Sequence, residues 1–128
     1  MRTESRCAEV PMLPTSKNVW VNLHWAERAK IKAEWREQVW GIVNQHPRLP
    51  RPAIRVTVTA VVGWNKPGPL PDQINLEMLH EVVADSLTKK LGCGIIPDDQ
   101  TQYVAGKITL MRSETAYTVL RIVAEYGE

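Results

Sequence analysis

The sequence predicts an α+β fold: a small mixed, largely antiparallel sheet with two main helices packed on it. Three observations predict this. Residues 26–46 carry apolar side chains at helical spacing, residues 54–62 alternate apolar and polar at strand spacing, and the last 27 residues are rich in β-branched types. At 128 residues the chain has the length of a single domain able to bury a core.

Each element follows from its own residues. Residues 1–10, MRTESRCAEV, carry charges and no apolar run, and read as a flexible N-terminal tail ahead of a single domain over 11–128. Two prolines in PMLPTSKNVWV (11–21) suggest an extended segment or short edge strand. NLHW (22–25) leads into the first main helix, Ala26 to about His46, with Ile31, Trp35, Val39, Ile42 and Val43 as its apolar stripe. The three prolines of HPRLPRP (46–52) end it. In IRVTVTAVV (54–62), Ile54, Val56 and Val58 alternate with Arg55, Thr57 and Thr59, as in a strand with one buried face. WNKPGPLP (64–71) is a proline- and glycine-rich loop.

The second main helix begins near Asp72–Asn75 and runs to Gly92, burying Leu76, Leu79, Val83 and Leu87. Asp72 or Asn75 offers an N-cap, and Lys89 and Lys90 complement the helix dipole at the other end. GCGIIPDD is a turn. Runs 102–112 and 116–126, separated by SET, read as a closing hairpin.

Composition bounds the function. There is no apolar run of membrane-spanning length and no signal-peptide pattern. Cys7 and Cys93 lack metal or redox spacing and read as reduced thiols. A net charge of +2 is only mildly basic, so clustering matters more than the sum. Arg28, Lys30, Lys32 and Arg36 fall within nine residues, and Arg48, Arg51 and Arg55 within eight. Arg28, Lys32 and Arg36 recur every four residues and form one helical stripe, which Glu27, Glu34 and Glu37 dilute. His24 and Trp25 stand at the helix start, where packing accounts for Trp25. His80 reads as a surface histidine.

The acidic residues pose the chemical question. Asp72 precedes a helix and Asp98-Asp99 follow it. Metal-assisted hydrolysis of a phosphodiester needs two or three carboxylates gathered around hard cations. On spacing alone, however, capping and turn formation are the commoner roles for these residues.

LHWAERAKIKAEWRE (23–37), then a strand, DQINL (72–76), ADSLTKKLG (84–92) and IIPDDQ (95–100) together resemble the RusA family of Holliday-junction resolvases, its phage and actinobacterial members in particular. The likeness covers roughly residues 11–126 in order. It implies a homodimeric endonuclease, dependent on Mg²⁺ or Mn²⁺, that nicks four-way DNA junctions in the cytoplasm of a bacterial or phage-infected cell. Carried over residue by residue, Asp72 matches the first motif aspartate, Asn75 the orienting asparagine, and Asp98 or Asp99 the downstream acid, with Asp99 favoured. Asp72 and Asp99 are then the catalytic pair, and Asp72, Asp98 and Asp99 the metal ligands. Arg28, Lys30, Lys32, Arg36, Arg51, Arg55 and Lys66 are the candidate DNA contacts. The departures fall in one place. Ile74 stands where the motif has its second aspartate, the loop before it holds Lys66 as its only charge, and residues 76–87 contain no lysine. They open a second reading, a family member that binds junction DNA or a partner protein without cleaving.

Overall fold

A computed structural model of the chain describes residues 2–72, 76–88, 93–97 and 103–127. In order, the elements are β1 (Arg2–Val10), α1 (Lys17–Asn22), α2 (Trp25–Val43), β2 (Arg55–Trp64), α3 (Glu77–Leu87), β3 (Val104–Arg112) and β4 (Tyr117–Tyr126). The strands form one four-stranded sheet in the order β1-β4-β2-β3. β4 runs antiparallel to both β1 and β2, and β3 runs parallel to β2, so the fold is a small mixed α+β arrangement.

Alternation along the strands fixes which face is buried. In β2, Val56, Val58, Ala60 and Val62 are buried, and they lie in register with the buried Ala124, Ile122, Leu120 and Thr118 of β4. Val56, Val58, Ala60, Leu120, Ile122 and Ala124 make the main core with Trp35, Val39, Ile42 and Val43 of α2 and Leu79, Val82, Val83 and Leu87 of α3, while Val62 packs in a smaller cluster with Trp64 and Leu76. Burying each such side chain contributes about 1.5–3 kcal/mol before the entropy of ordering is subtracted. The odd-numbered strand residues form the opposite face.

Four expectations are corrected. Residues 2–10 are not a tail but the edge strand β1, in register with β4 from Arg2↔Tyr126 to Val10↔Thr118. Their inward residues are partly charged. Arg6 is satisfied by two hydrogen bonds to the Pro47 carbonyl, 2.9 and 2.6 Å, and lies 3.8 Å from Glu4. Second, the segment after Pro11 ends in a short helix, α1, instead of a strand. Its last turn is held by Arg28, whose Nε and a terminal nitrogen donate to the carbonyls of Trp20 and Val21 at 2.9 and 2.8 Å. Third, β3 and β4 do not pair as a hairpin. β2 lies between them, and the short connection passes over its end, where Ser113 N donates to Trp64 O at 3.1 Å. Fourth, α3 starts later than Asp72: its N-cap is Leu76, with no side-chain capping bond.

Two glycines permit close approaches on the sheet. A Cβ at Gly63 would collide with the Tyr117 ring, which lies across that position from β4. A Cβ at Gly106 would collide with the imidazole of His80, which packs from α3 onto β3. No helix among the described residues is long and apolar enough to cross a membrane.

Candidate nucleic-acid interface

The stripe on α2 divides into different roles. Arg28 is half-buried, with its guanidinium committed to the end of α1 and 5.7 Å from the Trp20 ring centroid. Lys32 and Arg36 are also half-buried, and with Val82, Asp85 and Ser86 they line a crevice of about 160 Å³ between α2 and α3. Arg36 lies 6.0 Å from the centroid of Trp40, whose indole N–H donates to the Ser86 carbonyl at 3.1 Å. Lys30 is exposed and outside that crevice. Two cations with apolar stems line this crevice together with the Asp85 carboxylate, which offsets part of the charge they would present to a phosphate.

At the head of α2, His24 is the N-cap, its Nδ1 accepting from Ala26 N at 3.2 Å. That bond gives His24 a structural role. The Trp25 ring lies tilted against His24, with centroids 5.4 Å apart, yet Trp25 remains 74% exposed, so packing does not account for it as the sequence suggested.

Arg51, Arg55 and Lys66 do not join the crevice. Arg51 is exposed ahead of β2, Arg55 opens β2 on the outer sheet face, and Lys66 follows its far end, 5.4 Å from the Trp64 ring centroid. Ten strand residues separate the ends by about 30 Å. The outer face carries two cations that the sequence reading missed. Thr59 is in register with Arg121 on one side and Lys107 on the other, so the three cross the sheet as one row. Glu125, opposite Arg55, and Glu9 on β1 offset part of this charge. The alternation of 102–112 and 116–126 held the signal, but only the strand order puts Lys107 and Arg121 in one row.

The acidic constellation is described only in part. Asp72 is exposed in the loop before α3. Asn75, Asp98 and Asp99, with Ile74, lie outside the described residues. Ile96 bridges Thr88 and its N–H donates to Leu87 O at 3.2 Å, so the chain just before Asp98 is anchored at the C-terminal end of α3, whereas Asp72 precedes its N-terminal end. The helix between is about 16 Å long. Among the described residues no three of His, Cys, Asp and Glu gather to hold a metal. A hard cation takes six or more oxygens, and Asp72 alone supplies one carboxylate. Of the three expected ligands, Asp72 is the one that falls among the described residues.

Elsewhere, a depression of about 470 Å³ between α1 and α3 is lined by Lys17, Trp20, Glu77, Met78, His80 and Glu81. His80 is half-buried there, against Gly106. Cys93 is buried, and burial pushes its thiol above the ordinary range, which makes it a poor nucleophile. No protein-family model matches the chain, and no curated protein matches it in sequence.

Proposed function

We propose that this chain is a RusA-like protein that acts on branched DNA as a homodimer. The observation that carries the reading is the ordered run of motifs along the sequence: LHW before the first main helix, DQINL ahead of α3, ADSL within it and IIPDDQ behind it. Two features support a DNA partner. Lys32 and Arg36 flank one crevice, and Arg55, Lys107 and Arg121 stand on the outer sheet face. Contacts from such side chains to phosphates are independent of sequence and weaken with salt, as structure-selective binding requires. A two-fold dimer suits a junction, because it presents two equivalent surfaces to a substrate of matching symmetry.

The reading takes two forms. In the first, the dimer nicks the junction with Mg²⁺ or Mn²⁺ held by Asp72, Asp98 and Asp99, and Asn75 orients a ligand or phosphate; the bound metal supplies activation of water and stabilisation of the leaving oxygen. In the second, the protein binds junctions without cutting. Ile74 favours the second, since an aliphatic side chain cannot ligate a hard cation at a place where the motif has a carboxylate.

The test incubates a labelled four-way junction with the native protein and with Ile74→Asp, in Mg²⁺, Mn²⁺ or EDTA. Paired metal-dependent nicks from the native chain, abolished by Asp72→Asn, support the first form. A gel shift in EDTA with nicks only from Ile74→Asp supports the second. Absence of a shift from both proteins removes the DNA reading.

A further inference from the structure

The two edges of the sheet differ. On β1, two of the outward carbonyls are taken by side chains of the same chain: Gln45 donates to Cys7 O at 3.0 Å and Arg6 to Ser5 O at 2.8 Å. That edge is blunted against strand addition. On β3 the hydrogen bonds to β2 fall on odd-numbered residues. Tyr103 O accepts from Val56 N at 2.7 Å, and beyond the strand Ser113 N donates to Trp64 O. The backbone groups of Gly106, Ile108 and Leu110 therefore point away from β2. Among the described residues they have no partner. Ile108 and Leu110 pack on the core from this edge and remain half-buried.

We infer that the free edge of β3 takes β3 of a second copy of this chain, antiparallel about a two-fold axis at Ile108, joining the two sheets into one of eight strands. The strand's own sequence favours that occupant and that register. With Ile108 opposite Ile108, all nine residues from Val104 to Arg112 are paired, and outward-pointing residues meet outward-pointing residues. On the inner face, Leu110 of each copy lies opposite Gly106 of the other, beside the His80 ring that fills the space a Gly106 side chain would need. On the outer face, Lys107 lies opposite Thr109 of the second copy. A slide of two residues in one direction would place Lys107 opposite Lys107, a like-charge pair, and a slide of two in the other would leave Val104 and Ala105 without a partner strand residue. Larger slides in either direction leave fewer residues paired. The edge thus closes on itself as an isologous interface.

The inference specifies the dimer of the preceding section but does not need its DNA partner, and mass in the absence of DNA tests it. Sedimentation equilibrium of the native chain should give twice 14.5 kDa. Ile108→Lys, which sets two ammonium groups at the axis, should sediment as a monomer with an unchanged far-UV circular dichroism spectrum. As a second route that does not disrupt the strand, Ile108→Cys in a Cys7→Ser background should form an interchain disulfide on mild oxidation. Cα atoms across such a pair are about 5.5 Å apart, within disulfide reach. A native chain that remains monomeric at 100 μM overturns the inference. So does a dimer that survives Ile108→Lys, or one whose Ile108→Cys form does not cross-link.

Discussion

At the residue scale, Gly63 is held to its identity by a single neighbour. The Tyr117 ring occupies the space a Cβ would need, so Gly63→Ala should destabilise the fold by about 1–3 kcal/mol in urea unfolding. In a double-mutant cycle with Tyr117→Ala, the combined loss should be smaller than the sum of the two, because the second change removes the collision. Two buried ionisable groups set a further expectation. Burial raises the Cys93 thiol, and burial together with Glu4 raises the Tyr126 phenol, whose O–H donates to Pro50 O at 2.9 Å. For both, the folded state keeps a proton that the unfolded state gives up first. Their stabilisation is complete below the unfolded values, about 8.5 and 10, and is lost as pH rises through the higher folded values. A series of melting temperatures from pH 8 to 11 should therefore fall, and Cys93→Ala should flatten the lower part of that fall.

At the element scale, α1 has six residues, too few to be helical alone. Its last turn is held by the Arg28 bonds, so Arg28→Ala should abolish hydrogen-exchange protection in α1 and leave α2 and α3 protected. The cost to global stability should be about 1–3 kcal/mol. The elements also show what the sequence disclosed. α2 and β2 were legible because their apolar residues keep strict helical and strand spacing against one partner layer each. β1 was not, because Glu4 and Arg6 occupy inward places and are satisfied by Pro47 and by each other, a compensation 41 residues away in the chain. The supposed hairpin failed for a related reason. A short connection between two strand-like runs looks like a tight turn, and only β2, inserted from far upstream, shows otherwise.

At the scale of the whole molecule, one face of the sheet is covered by helices and the other carries Arg55, Lys107 and Arg121 amid threonine and valine. Of the seven cations the sequence nominated, Arg28 is spent on α1 and only Lys32 and Arg36 share a crevice. The stripe was legible from four-residue spacing, but its division between clasp and crevice depends on where α1 and α3 pack. The acidic part of the candidate site was legible only as an order of motifs, since spacing along a chain does not say which ends of α3 meet. The most direct measurement of the central claim is fluorescence anisotropy of a labelled four-way junction in EDTA, titrated with the native protein across a series of salt concentrations and set against linear duplex of the same length. The account predicts tighter binding to the junction than to the duplex, weakening linearly in log–log form as salt rises. Lys32→Ala/Arg36→Ala should weaken junction binding with the fold intact. Equal affinity for junction and duplex, or no binding at low salt, would contradict it.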